Sequence, residues 1–304
     1  MTKYSKNAGR ATARRARPSA ASSLLKTMVF GLIKPLLRGP FAALRQQIRG
    51  KASSLVGKLP IDYAKPRAVV LAVQIPTDTV LDTEGALLVS RMPGVWLRTQ
   101  KCEFDAEVLT ADTFERAAGN IGRAAAACLP ASEISAVGLS CTSMSFVLGP
   151  DRVDEQLRGA CPNAAATDMA RAQAAALRAL GVTRIALVTP YIQDLAERNA
   201  AMLESQGLTV VSHQTMGLTH DSMTDKVSKE TIKQWAANTD CDEAEAVVIG
   251  CSAMRACEPG FIDELEAAHE KPVVTSTQAF MWSLLRTAGV EDQIDGYGTL
   301  FKAH

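Results

Sequence analysis

Two cysteines of this 304-residue chain, Cys141 and Cys251, stand in segments that repeat one another. Ala136–Met144 (AVGLSCTSM) and Ala246–Met254 (AVVIGCSAM) align without a gap: an apolar run, a small residue, Cys, Thr or Ser, Ser or Ala, and Met. A free thiol ionises near pH 8.5, and a helix N-terminus lowers that value into the working range. Two opposed thiols would act as an acid–base pair on one carbon. One, as thiolate, removes a proton from one face while the other returns a proton to the opposite face, which is racemisation without a cofactor. The same pair could instead add one sulfur to an activated alkene while the other handles the proton, giving cis–trans isomerisation. Thr142 and Ser252 add hydroxyl donors directly after the cysteines. The backbone N–H groups there would bind a carboxylate or stabilise an enediolate-like charge.

Such chemistry needs elements that bring two distant residues to one place. From Arg67 onward short apolar runs alternate with helical stretches. Arg67–Ile75, Ile134–Ser140, Arg184–Thr189, Leu208–His213, Glu245–Gly250 and Pro272–Thr275 read as buried strands, and Val95–Cys102 as an outer strand. Helix signals cover Ala111–Cys128, Asp168–Leu180, Ile192–Gln206, Ser228–Ala237, Pro259–His269 and Gln278–Ala288. This alternation predicts an α/β fold of two similar lobes, each a small parallel sheet flanked by helices. Sites in such folds lie beyond the carboxyl ends of the strands. Each cysteine falls just past a strand end, so the site is expected between the lobes. We expect lobe 1 over 62–168, lobe 2 over 169–275, and a return of 276–304 to lobe 1.

Charge divides the chain differently. Residues 1–61 carry 13 Lys and Arg and no acid, leaving 20 basic against 32 acidic residues in the remainder. The basic extension reads as a disordered arm, as residues upstream of the true start, or as a targeting or membrane-surface segment, because Leu24–Ile48 mixes apolar residues with spaced cations. Nucleic-acid binding is not expected, since no aromatic residues interleave the charges. No apolar run reaches the roughly 18 residues of a membrane span. Seven cysteines in a chain of this length read as thiols in a reducing compartment, and so as a cytoplasmic protein. No HExxH or CxxC spacing suggests a metal site, and no cofactor is expected. Gly119–Gly122 lies inside a helical stretch, so it is no dinucleotide loop. Gly138–Thr142 departs from a nucleophile elbow at its last position.

Several segments in order resemble the aspartate/glutamate racemase superfamily. They are Pro76–Glu84 (PTDTVLDTE), Gly138–Met144 (GLSCTSM), Val188–Tyr191 (VTPY), Gly217–Ser222 (GLTHDS), Val248–Arg255 (VIGCSAMR) and Pro272–Ala279 (PVVTSTQA). The resemblance is greatest to the branch holding maleate cis–trans isomerases, arylmalonate decarboxylases and ectoine-utilisation proteins. It implies that Cys141 is the nucleophile or base and Cys251 the proton donor. It further implies that Tyr191, Thr142, Ser143 and Ser252 bind substrate carboxylate oxygens. Arylmalonate decarboxylases lack the first cysteine, so Cys141 speaks against that activity. Asp78 falls where the isomerases carry an asparagine, and Ser222 roughly where they carry a second one. An acid at position 78 is unfavourable beside a dianion, which leans towards an amino-acid-like substrate.

The expectation is therefore a cofactor-independent racemase or cis–trans isomerase acting on a small carboxylate, in a chain expected to form a homo-oligomer. An arylmalonate-type decarboxylase and a non-catalytic carboxylate-binding protein are the alternatives. His220 reads as a solvated loop histidine or a cleft base. Arg255 reads as a substrate ligand or as a cap on a neighbouring carbonyl. Cys102, Cys128, Cys161, Cys241 and Cys257 read as small packing residues.

Overall fold

Ala68–Gln74 (AVVLAVQ) is buried at all seven positions and forms strand β1, at the centre of a four-stranded parallel sheet. A strand buried on both faces has no use for polar alternation, and that is why it reads as one apolar run. The structure, a computed structural model, describes residues 62–304. The basic segment 1–61, and the targeting and membrane-surface readings made for it, lie outside the described residues. Among the described residues no helix is long and apolar enough to cross a membrane.

The first sheet runs in the order β2 (Val95–Lys101), β1, β3 (Ala136–Leu139), β4 (Ala165–Asp168). The second runs β6 (Thr209–Thr215), β5 (Arg184–Thr189), β7 (Ala246–Ile249), β8 (Val273–Thr275). All pairs are parallel, so the second sheet repeats the topology of the first. The flanking helices are α1 (Val80–Val89), α2 (Ala111–Ala117), α3 (Asn120–Ala126), α4 (Thr142–Leu148), α5 (Pro150–Ala160), α6 (Met169–Ala179), α7 (Gln193–Ser205), α8 (Asp221–Thr224), α9 (Lys229–Thr239), α10 (Phe261–His269), α11 (Ser276–Thr287) and α12 (Gly298–Ala303).

The repeat extends to the helix starts. Asp168, at the end of β4, caps α6 by accepting the Arg171 N–H at 2.9 Å. Thr275, at the end of β8, caps α11 in a reciprocal box with Gln278. The two capped helices pack together, and the Gln173 amide donates to Ser276 Oγ at 2.9 Å. Helix α11 also lies on the first sheet. A Cβ on Gly138 of β3 would stand 2.6 Å from the Phe280 ring, so this strand needs glycine where β7 has Val248.

Several elements differ from the sequence expectation. The stretch Ala111–Cys128 is two helices, separated at Ala118–Gly119. Helix α5 was not anticipated because only Val153 and Leu157 of its eleven residues are buried, too few to set an apolar period. Strand β4 escaped because it is a four-residue edge strand that begins exposed.

Candidate active site

Each cysteine follows its strand at the same step. Ser140 N donates to Val73 O of β1 at 2.6 Å, and Gly250 N donates to Val188 O of β5 at 2.8 Å. The next residue in each case is the cysteine, turned away from the ladder and buried (Cys141 2% exposed, Cys251 5%). Cys141 is the N-cap residue of α4, and its sulfur lies 3.6 Å from Ser143 Oγ. Burial pushes the Cys141 thiol up, and the Asp221 carboxylate adds to this; the Met144 N–H and the Ser143 hydroxyl oppose it. Cys251 is likewise pushed well above the ordinary thiol value by burial and then by Asp221, against the Ala253 N–H.

Cys251 also carries an unusual backbone. Its φ is +109°, a conformation that costs a side-chain-bearing residue of order 1–3 kcal/mol. The Cys251 N–H is held by Ser276 Oγ at 2.8 Å, the same oxygen that accepts from Gln173. The strain therefore persists because α6 and α11 hold the turn from behind.

Tyr191, two residues past β5, faces both sulfurs. Burial raises its phenol well above the ordinary value, and the charges of Cys251 and Cys141 come next. Its hydroxyl is buried without a hydrogen bond of normal geometry. Its ring meets Phe146 of α4 edge-on at 5.8 Å, which joins the two sheets' loops across the site. Its backbone carbonyl accepts Gly217 N at 3.0 Å and so anchors the loop that leads to α8.

That loop brings in a group the sequence did not single out. Asp221 is buried at the start of α8, and Thr77 donates its hydroxyl to Asp221 Oδ2 at 2.9 Å. Its carboxyl is raised to about 7, by burial first and by Asp78 second. Asp78 itself is fully buried. Its Oδ1 accepts the Val80 N–H at 3.1 Å, while Oδ2 has no partner. Burial raises it too, against the Ser252 hydroxyl, the Val80 N–H and the Lys101 charge.

Of the residues expected at the site, Cys141, Cys251, Asp78, Thr142, Ser143, Tyr191 and Ser252 are all buried. Electrostatic or hydrogen-bond contacts link all of them in one cluster. Ser222 is not among them: it is exposed, and its neighbour Asp221 turns inward instead. His220 is half-buried and bonds Thr219 Oγ1 at 2.6 Å, outside the cluster. Arg255 donates to the Asp225 carbonyl at 3.2 Å and approaches Thr83 Oγ1 at 3.4 Å, so it bridges neighbouring segments. Sequence reasoning missed Asp221 because nothing local distinguishes it from Ser222. It missed Ser276 because a hydroxyl bonded to a distant backbone N–H leaves no local pattern.

Residues 89–301 match the family model described as arylmalonate decarboxylase. A maleate isomerase from Nocardia farcinica is 30% identical over 150 residues, which cover 49% of this chain and 59% of that protein, short of two thirds of its length. An arylmalonate decarboxylase from Bordetella bronchiseptica is 31% identical over 180 residues, covering 54% of this chain and 70% of that protein. Among solved structures, the Nocardia farcinica maleate cis–trans isomerase, a mutant with a covalently bound succinylcysteine intermediate, superposes with a TM-score of 0.70 at 23% identity, covering 78% of this chain and 99% of that one. A double mutant of arylmalonate decarboxylase in its liganded form gives a TM-score of 0.67 at 24% identity, covering 78% and 100%. These two structural likenesses support the fold of two parallel sheets.

Proposed function

This chain belongs to the arylmalonate decarboxylase family, and from that premise we propose that it is a cofactor-independent isomerase acting on a small carboxylate through Cys141 and Cys251. The relatives named maleate isomerase and arylmalonate decarboxylase support an isomerase or a decarboxylase. The observation that carries the choice is the pairing of the thiols. Both sit one residue past matching backbone hydrogen bonds, and both bear on the same phenol, Tyr191.

In the racemase form, Cys141 as thiolate takes the proton α to the carboxylate, leaving an enediolate-like carbanion. Cys251 then gives its S–H proton to the opposite face, and the two sulfurs exchange protonation states. In the isomerase form, the Cys141 sulfur bonds to one alkene carbon while Cys251 protonates the other. Rotation about the resulting single bond and the reverse elimination release the other geometric isomer. Thr142, Ser143, Ser252 and Tyr191 would hold the carboxylate, and Asp78 would meet the rest of the substrate. A decarboxylase is the second reading, favoured by the family match itself; the presence of Cys141 weighs against it.

The test is proton NMR of the full chain in deuterated buffer, with small carboxylates including maleate, arylmalonates and amino acids. The expected result is α-proton exchange or cis–trans conversion that either Cys141→Ala or Cys251→Ala abolishes while binding is retained. Turnover that survives either substitution would remove the two-thiol mechanism. Loss of carbon dioxide from an arylmalonate would establish the decarboxylase reading. Binding without turnover, unchanged in the double variant, would make this a binding protein.

A further inference from the structure

Among the described residues, the acids of the site form no ion pair with a cation. Asp78 and Asp221 reach it from different segments, one past β1 and one at the start of α8, and each is buried. Neither carboxyl forms an ion pair with a described Lys, Arg or His. Lys101 is the nearest positive charge to Asp78, yet its ammonium donates to the Asp78 backbone carbonyl at 2.5 Å and pairs with Asp82 at 2.9 Å. Arg255 is engaged with the Asp225 carbonyl. Two buried polar atoms in the cluster have no hydrogen bond of normal geometry, Asp78 Oδ2 and the Tyr191 hydroxyl, although Ser252 lies near the first and Thr142 and Cys251 near the second. A buried acceptor left unpaired costs the full desolvation of that group, so these atoms are suited to a ligand that enters the site.

A dicarboxylate would add two negative charges to a place that already holds two acids and two thiols, and every pKa there would rise further. An ammonium group does the opposite. It brings three N–H donors for Asp78, Asp221 and a neighbouring oxygen, and it returns both carboxyls to their charged forms. Its charge would also favour the Cys141 thiolate, which burial and the two acids otherwise disfavour. The thiol would then be activated only when substrate is present.

We propose that Asp78 and Asp221 bind the cationic nitrogen of a small α-amino carboxylate, so that this chain acts on an amino acid and not on a dicarboxylate. The carboxylate end lies at the Thr142, Ser143 and Ser252 donors. The proposal rests on the reading of this buried cluster as a substrate site but not on the two-thiol mechanism.

The test compares free amino acids with their N-acetyl derivatives and with nitrogen-free dicarboxylates of similar size. It uses the full chain and records exchange in deuterated buffer together with binding by saturation-transfer NMR. Acetylation removes the positive charge and should weaken binding by about tenfold or more, the scale of one charge-assisted contact. Asp78→Asn and Asp221→Asn should raise KM for the amino acid by a similar factor and affect kcat less. Thiol-dependent turnover confined to nitrogen-free dicarboxylates would overturn the proposal and leave the two-thiol function standing. Amino-acid turnover that survives Cys141→Ala would do the reverse. Absence of saturable amino-acid binding to the unsubstituted chain would overturn it without recourse to any variant.

Discussion

Glu84 accepts the backbone N–H of Cys257 at 3.0 Å, across 173 residues of chain, and so ties α1 to the turn that follows Cys251. Its other oxygen has no partner. Burial is the main reason its carboxyl is raised from an ordinary 4.5 to about 8, with the Cys257 N–H opposing and Glu258 adding to the rise. The folded chain thus keeps a proton that the unfolded chain has released. The stability this provides is complete below 4.5 and is lost progressively as pH climbs to about 8.

Glu84→Gln keeps the acceptor for Cys257 and removes the titration. Urea unfolding should show the variant and the native chain within about 1 kcal/mol near pH 4. At about pH 9 the variant should be more stable by a few kcal/mol. The upper bound is roughly 1.4 kcal/mol for each pH unit over which the folded chain holds the extra proton. Parallel curves across that range would show that Glu84 does not titrate as its burial requires.

Gly138→Ala should destabilise the fold by about 1–3 kcal/mol, because the new methyl would meet a buried ring that has little room to retreat. Phe280→Leu in the same background should recover part of that loss, since a double-mutant cycle reads the contact directly. Equal losses in both backgrounds would place the strain elsewhere.

The buried parallel strands and the cysteine pair were legible in the sequence for one reason. Doubly buried strands such as Ala68–Gln74 leave long apolar runs, and two copies of one unit repeat their motif at the same step. What escaped depends on direction. Asp221 and Ser222 are neighbours in one polar loop, and only the turn at α8, tied through Gly217 to Tyr191, decides which faces the thiols. The positive φ of Cys251 escaped as well, because that position carries a side chain where glycine usually marks such a turn.

That backbone allows a clean separation of strain from chemistry. Cys251→Ala keeps a Cβ at φ +109°, whereas Cys251→Gly relieves it. Both should abolish turnover, but the glycine variant should be more stable than the alanine variant by about 1 kcal/mol, the relief of φ outweighing the added freedom of the unfolded chain. Chemical denaturation of the two variants measures the difference. An alanine variant as stable as the glycine variant would mean the turn is unstrained.

Binding should also move protons in a direction that identifies the ligand. Asp221 is raised to about 7 and Asp78 is raised beside it, so near neutral pH the ligand-free pair holds part of a shared proton. An ammonium ligand stabilises both carboxylates and expels that proton, whereas a carboxylate ligand at the same place would draw a proton in. Titration calorimetry of the Cys141→Ala chain, in which the two-thiol mechanism predicts no turnover, separates the cases when run in two buffers of different ionisation heat. Amino-acid binding should release up to about one proton per ligand near pH 6.5, and the part of the release that comes from Asp221 should fade as pH rises well above about 7. Asp221→Asn should abolish most of it. Proton uptake on binding would mean that the acids meet a carboxylate, and the site would then select a dicarboxylate by sharing a proton with it.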